Sequence, residues 1–343
     1  MAYSGVLEDI RKCVRLEQPS RIPVFALSQE FDVRMSGMIY EEYCQDANKI
    51  FKCQKEVIEK FDYDWAWVQI DDCIVFEVLG VGTKGSGNIL RATVDYLPPT
   101  WETLKNLKMP DPYKDGRMPV LLEAISKLKS YFGDKVCVCG RTEAPFSSVT
   151  LLYGIEETMM LIYSNEKLLR ETMEFFVELQ SMFGKAQLEA GADALWYGDC
   201  NASSHLISPK VYKEFAFEPA KKVVEEYKKA GGLTFYHASE EGESLPIMVE
   251  LGADALSVGP GIDIKKALEV AKGKVCIVGN IDPIKVLERG SVEEVRRETI
   301  RIIEEGKKYK GFIFNSGEEI PRDTPEENIK TMVETAKKWG VFS

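Results

Sequence analysis

Two hydrophobic periods alternate along the chain. Short apolar runs rich in β-branched and aromatic residues recur eight times: Ile22–Leu27 (IPVFAL), Asp64–Ile70 (DWAWVQI), Val136–Gly140 (VCVCG), Ala194–Gly198 (ALWYG), Leu233–His237 (LTFYH), Ala255–Val258 (ALSV), Val275–Val278 (VCIV) and Gly311–Asn315 (GFIFN). Runs this short and this continuous suit strands covered on both faces. The stretches between them, such as Asn165–Ala190 and Ser208–Ala230, space apolar residues three and four apart and fill the other faces with Lys and Glu. That is the spacing of helices with one buried stripe. Two strands are entered through the same tripeptide, Gly-Ala-Asp from Gly191 and from Gly252, as expected where a glycine ends a helix.

Strand-then-helix units repeated in one chain imply a parallel sheet. Eight of them make the complement of an eight-stranded (β/α)8 TIM barrel. The expected fold is an α/β protein, a single barrel domain over residues 1–343, with an N-terminal helical extension in MAYSGVLEDIRKCVRL. The length beyond the roughly 250 residues of such a barrel falls mostly between the second and third strands. There LRATVDYLPPT reads as an inserted hairpin or arm, ahead of the link DPYKD. A doubly wound sheet is the alternative, but no G-x-G-x-x-G follows a strand.

Composition narrows the partners. With 45% hydrophobic and 29% charged residues and a net charge of −11, the chain is an ordinary acidic globular protein, and nucleic acid is excluded as a natural partner. No run approaches the 18 or more apolar residues of a membrane span, and the N-terminus has no signal-peptide pattern, so a cytoplasmic protein with no membrane partner is expected. A homo-oligomer is left open. Eight cysteines, at 13, 44, 53, 73, 137, 139, 200 and 276, show no C-x-x-C pairing and read mostly as core thiols, Cys137 and Cys139 lying on one face of a strand.

In a barrel, chemistry belongs at the C-terminal strand ends. Those ends carry Asp71 and Asp72, Arg141 with Glu143, Asp199 with Cys200, His237 with Ser239, Asn280 with Asp282, and Asn315 with Glu318. His237, Cys200 and Glu318 together offer the N, S and O donors of a catalytic zinc site. Cys200 reads equally as a small buried thiol. The run Glu240, Glu241 and Glu243 reads as a solvated loop, His205 as a surface or capping residue, and Asp282 as the cap of a helix from Pro283.

RIPV near the N-terminus, EAPFSSVTLLYG at 143–154, GADALWYGDCNASSHLISPKVYKEF from Gly191, the strand ending in YHAS, GNIDP from Gly279 and NSGEEIPRDTPEENI from Asn315 together resemble the uroporphyrinogen decarboxylase superfamily, and within it the corrinoid-dependent methyltransferases. The resemblance implies an eight-stranded barrel. Decarboxylases of the family carry an arginine-rich segment after the first strand, where this chain has ALSQEFDVRMSG with Arg34 alone; Asp72 matches the family's aspartate, and Glu318 stands where the family has a late histidine. Methylcobalamin:coenzyme M methyltransferases hold zinc with a His-x-Cys pair and a later Cys; here those places read His237-x-Ser239 and Glu318. Harder oxygen donors suit a thiol acceptor less and an ether oxygen better.

The resemblance therefore implies the methyltransferase component of an O-demethylase, taking a methyl group from a small methoxylated aromatic to a corrinoid carried by a separate protein, since the chain has no D-x-H-x-x-G motif of its own. Glu143, Asp199 and Asp72 are the expected catalytic acids. Trp196, Tyr197, Phe146 and Asn315 are expected to line the substrate slot, with His237, Cys200 and Glu318 on zinc. Thiol methylation, other methyl transfer, decarboxylation and tetrapyrrole binding without turnover are the alternatives.

Overall fold

The computed structural model describes residues 4–342. Its strands are β1 (Trp65–Trp67), β2 (Gly82–Lys84), β3 (Ala92–Asp95), β4 (Cys137–Glu143), β5 (Ala194–Gly198), β6 (Leu233–Glu240), β7 (Ala255–Val258), β8 (Cys276–Ile281) and β9 (Phe312–Ser316). Seven of them form one parallel sheet in the order β1-β4-β5-β6-β7-β8-β9, with helices between consecutive strands. β2 and β3 pair only with each other, antiparallel, in the chain between β1 and β4. A helix, Val6–Val14, precedes the sheet. Among the described residues no helix is long and apolar enough to cross a membrane.

The first expected strand is the exception. Segment 22–27 forms a single isolated bridge, Val24 to Phe314, instead of a registered strand, because its backbone donors are diverted. Pro23 has none, Val24 N donates to Asp64 Oδ2 at 2.7 Å, and Leu27 N donates to Ser316 Oγ at 3.1 Å. Toward the sheet there remain one bond from Phe25 N to Phe314 O (2.8 Å), one from Phe314 N to Pro23 O (3.0 Å) and one from Asp64 N to Val24 O (3.0 Å), while the segment's ends bond Gly340 O through Ile22 N and Ile320 N through Leu27 O. The segment thus touches β9 on one side and the entry to β1 on the other. Both edges of the sheet reach the same piece of chain, so the sheet is curled.

Local chemistry explains the joints. Gly191 (φ 111°) follows the cap of helix Glu166–Glu189, and Gly252 (φ 87°) lies in the turn after helix Leu245–Met248, both in a backbone conformation that side chains resist. The aspartates that follow them stitch neighbouring strands: Asp193 Oδ2 accepts from Val138 N and Asp254 Oδ2 from Thr234 N. Asn165 caps helix Glu166–Glu189, and Asp282 caps the π-helical turn Pro283–Glu288 by accepting from Ile284 N and Lys285 N. The Asp282 expectation is met.

Strand alternation then decides which side chains face inward. A Cβ at Gly140 would collide with Gln187 of helix Glu166–Glu189, so that position faces the helices and Cys139 and Arg141 face the interior. The interior carries a column of rings: Phe25 stacks on Trp65 at 4.2 Å, Trp65 and Trp67 both meet Trp196 edge-on at 5.4 and 6.2 Å, and Trp196 lies 4.9 Å from the His237 ring. Such pairs add to plain area burial and fix ring orientation.

Asp64 joins the parts. It is fully buried and accepts from Arg21 Nη1 (2.8 Å), Arg21 Nη2 (2.9 Å) and Val24 N (2.7 Å). Asp64→Ala strands a largely buried guanidinium and a backbone donor, and should cost about 3–5 kcal/mol. Thermal or denaturant unfolding of the variant is the check, and Asp64→Asn should lose less.

Candidate functional site

His237 is the last residue of β6 paired in register, opposite Ser257, before the ladder resumes at Glu240 opposite Val258. The two residues between form a bulge, and Ser239 takes φ 51°, a region few residues other than glycine adopt. The bulge brings Ser239 Oγ to 3.4 Å from His237 Nε2. Glu318 Oε2 stands 3.5 Å from the same nitrogen, while Nδ1 faces Ser257 Oγ at 3.0 Å. Burial would depress the imidazole pKa, but Glu318 and then Cys200, which also hydrogen-bonds the ring, outweigh it and raise it to about 10. Burial pushes Glu318 the other way, yet His237 and Ser239 hold it below the usual carboxylate range. The pair is an imidazolium and a carboxylate.

A second group lies two strands away. Arg141 Nη2 donates to Asp72 Oδ1 at 2.5 Å, and its Nε is 3.4 Å from Glu143 Oε1. Burial raises the Glu143 pKa to about 7, with Arg141 opposing and Asp72 adding. Glu319, fully buried, rises to about 8 through burial and the nearby charges of Glu30 and Asp72. The whole mouth is explained by its charge balance. Acidic groups outnumber cations here: Asp72 and Glu143 share Arg141, Glu318 pairs with His237, and Glu319 has no ion pair, so burial lifts Glu143 and Glu319 most.

Buried polar atoms without partners cluster in the same place. Trp67 Nε1, Gln69 Oε1, Arg141 Nε, both Asn315 amide atoms, Glu318 Oε1 and Glu319 Oε1 make no hydrogen bond. Buried groups are nearly always satisfied, so such a set marks where a ligand supplies the missing partners. Glu143, Gly198 and His237 occupy one rung of β4, β5 and β6. With strands about 4.8 Å apart, that places the Glu143 and His237 backbones about 10 Å from each other. Gly198, between them, projects no side chain into the gap, and Trp196 lies below it.

The expected residues divide. Glu143, Asp72, Trp196, Asn315, His237, Cys200 and Glu318 come together at this mouth. Two others do not, and Phe146 is buried in the core as Trp196 is. Tyr197 faces the helices, its hydroxyl donating to Ala220 O and its ring meeting Tyr227. Asp199 is also turned to the helix layer, accepting from Ser147 Oγ (2.7 Å) and Tyr236 Oη (2.7 Å); burial lifts it to about 6 and those bonds oppose the rise. Phe146 is fully buried at the start of helix Pro145–Tyr153, within the core. Alternation explains Tyr197: it neighbours the inward Trp196 and must point the opposite way.

Other strand-end residues are structural. Asp71 is paired with Arg117 Nη1 (2.7 Å) and Nη2 (2.9 Å), and Asn280 donates to Gly259 O and Ile262 O. Glu240 corrects the reading of its run as solvated: it is buried and accepts from Ser204 N, Ser204 Oγ, Gly242 N and Ser244 N, anchoring two loops. His205 is exposed, as expected, 3.4 Å from Glu241. Seven cysteines are buried and Cys200 is exposed. Sequence reasoning missed Glu319 and gave Arg141 no role. The adjacent acids of NSGEE and an arginine two residues before a strand-end glutamate were the available signals.

The three expected zinc donors converge, but as an ion pair with a neighbouring thiol. Among the described residues no three His, Cys, Asp or Glu side chains are disposed to hold a metal ion. Glu318 Oε2 and Ser239 Oγ both stand near His237 Nε2, the nitrogen a metal would take.

A curled parallel sheet with titratable groups gathered at the strand ends defines a barrel-type α/β protein with the site of an enzyme. The family model for uroporphyrinogen decarboxylase matches residues 7–339, and the chain belongs to that family. It is 27% identical over 341 residues to a methylcobamide:CoM methyltransferase, MtbA, of Methanosarcina mazei, covering 97% of each chain. It is 26% identical over 316 residues to a uroporphyrinogen decarboxylase of Rickettsia africae, covering 90% of this chain and 88% of the relative. A solved methyltransferase from Methanosarcina mazei superposes with a TM-score of 0.89 at 22% identity, over 97% of this chain and 98% of that one.

The charge balance has a stability consequence. Glu319 binds its proton more tightly folded than unfolded, so its contribution to stability is lost as pH rises from the ordinary carboxyl range through about 8. Glu319→Gln should therefore match the wild type in Tm near pH 5 and exceed it near pH 9, by about 2 °C or more. Melting curves across that range decide; a constant difference would refute the protonated buried acid.

Proposed function

We propose that this chain is the methyltransferase component of a corrinoid-dependent O-demethylase. It takes the methyl group of a small methoxylated aromatic and passes it to a corrinoid protein. The reading treats residues 1–343 as one eight-stranded barrel domain, with segment 22–27 as its first stave and the β2–β3 pair as an insertion. The observation that carries it is the rung at the mouth. An acid raised to about 7 and an imidazolium flank Gly198, whose missing side chain leaves room beside the Arg141 guanidinium, over an indole face. Full-length similarity to methylcobamide:CoM methyltransferases supports methyl transfer with a corrinoid partner.

An aryl ether releases its methyl group only if the departing oxygen is neutralised. Glu143 supplies that proton: as the O–CH3 bond breaks, the proton moves to the aryl oxygen and the aromatic leaves as a phenol. The partner's reduced corrinoid supplies the electron pair that takes the methyl carbon. Arg141 and Asp72 hold Glu143 in place and compensate the carboxylate it becomes. Trp196 offers the ring a flat surface, and Asn315 offers one donor and one acceptor without partners. Were a zinc ion bound, His237, Cys200 and Glu318 would be the residues to hold it, and it would add Lewis-acid polarisation of the ether oxygen to the proton that Glu143 supplies.

Decarboxylation of a substrate with many carboxylates is disfavoured, since Arg34 is spent on the Arg322 and Thr324 carbonyls and Arg141 on two acids. A second reading, methyl transfer involving a thiol, is favoured by the similarity to MtbA alone. The deciding assay mixes the protein with a reduced corrinoid protein and a panel of methoxybenzoates and follows methyl–cobalt formation optically. Formation with a methoxyarene is expected; transfer only to or from a thiol would reverse the choice. In the same assay Glu143→Gln should lower kcat by about 10²-fold or more. The wild-type rate should fall as pH rises past about 7, where the Glu143 proton is lost, and the residual rate of the variant should lack that limb.

A further inference from the structure

β4 runs on past the point where its neighbour β1 stops. Pairing of β1 with β4 ends at Trp67 opposite Cys139, while pairing of β4 with β5 continues to Glu143 opposite Gly198. Val68 N still donates to Cys139 O at 2.8 Å, and the chain then turns away, Gln69 N bonding Trp67 O at 3.1 Å. In a parallel ladder alternate residues bond the same neighbour, so the N–H and C=O of Arg141, two residues past Cys139, face the side that β1 has left. Buried backbone groups in that position need a partner.

Gln187 supplies it. Its side chain, fully buried on helix Glu166–Glu189, accepts from Arg141 N with Oε1 at 2.8 Å and donates to Arg141 O with Nε2 at 2.8 Å. A carboxamide that offers one acceptor and one donor in this arrangement takes the place of the next peptide group of a strand. Gly140 leaves the way open, since a Cβ there would stand 2.2 Å from Gln187 Oε1. The residue held in this way carries the guanidinium that meets Asp72 Oδ1 and Glu143 Oε1.

We propose that Gln187 is a positioning residue that completes the unpaired edge of β4 and so fixes the Arg141 guanidinium against the Glu143 carboxyl. It acts through Arg141 and carries no charge. The charged and titratable groups that face Glu143 are Arg141 on its own strand, Asp71 and Asp72 after β1, Tyr227 of helix Phe217–Lys229, and His237 across the rung. Arg141 is the cation that reaches the carboxyl. When the strand end loosens, its hold weakens and the acid keeps its proton to higher pH.

Infrared titration of the full chain tests this independently of any reaction. The C=O band of protonated Glu143, assigned by its loss in Glu143→Gln, should fade with a midpoint of about 7 in the wild type. Gln187→Met keeps the length of the side chain and removes both bonds, and should raise the midpoint by about half a pH unit or more, a fraction of what a complete ion pair contributes. Gly140→Ala drives the Gln187 amide off the strand, should shift the midpoint the same way, and decides the matter if the first variant does not fold. Asp64→Asn, at the other end of the same strands, should lower Tm and leave the midpoint unchanged. A wild-type midpoint in either of the first two variants when folded, or an equal shift in Asp64→Asn, would overturn the proposal. The high-pH limb of methyl transfer, which rests on the proposed function, should move with the midpoint; a moved midpoint without turnover of any methoxyarene would count against that function and leave the role of Gln187 standing.

Discussion

Too few cations for the carboxyl groups they must serve is the constraint from which the mouth of this molecule takes its character. In water the excess would be harmless, since each acid could ionise alone. Asp72 and Glu318 keep some contact with water, but Glu143 and Glu319 are removed from it, and a buried ion needs a partner that only Arg141 and His237 are there to supply. Glu318 takes the imidazolium and Asp72 the guanidinium. Glu143 has only a share in Arg141 and Glu319 has no cation of its own, so both are pushed up, to about 7 and about 8. Proton donors near neutrality arise here from arithmetic among neighbours, and altering any one member changes the others.

That arithmetic is possible only because the scaffold delivers these groups from distant parts of the sequence to one rim. Parallel strands in register put Glu143, Gly198 and His237 on one rung although 94 residues separate the outer two in sequence. Two-residue alternation then sorts the side chains: Arg141, Trp196 and His237 inward, Tyr197 and Thr142 toward the helices, where Tyr227 donates to the Thr142 hydroxyl. The ring column from Phe25 to Trp196 fills the space below, so the charged groups rest on an apolar floor and gain nothing from water on that side.

Much of this was legible in the chain because it depends on periodicity. Seven of the eight apolar runs are strands of the main sheet, and both Gly-Ala-Asp turns lie where a helix yields to a strand. Segment 22–27 was legible as chain that belongs against the sheet but not as an irregular stave, because the loss of its ladder depends on Asp64 and Ser316, which lie 40 and 289 residues from the donors they satisfy. Strand-end position found His237, Glu318 and Glu143. It also gathered Asp199 and Asp71, which the fold uses to brace loops, since position along a strand does not tell which face a residue leaves by. Glu240 looked solvated beside Glu241 and Glu243, and only the folded backbone of 204–244 shows four donors aimed at it.

The β6 bulge shows how a shared scaffold can change its chemistry without moving. Ser239 adopts a strained backbone conformation, and its hydroxyl reaches the histidine that heads the same strand. Strain of this kind persists only where surrounding structure over-determines it, and it gathers at functional sites. At that position the hydroxyl meets the imidazole with oxygen, 3.4 Å from Nε2. Glu318 approaches the same nitrogen from β9's end of the sheet. With oxygen donors at both positions, the imidazole is met by a hydroxyl and a carboxylate. Specificity in this architecture therefore resides in a few rim residues whose directions the backbone has already set.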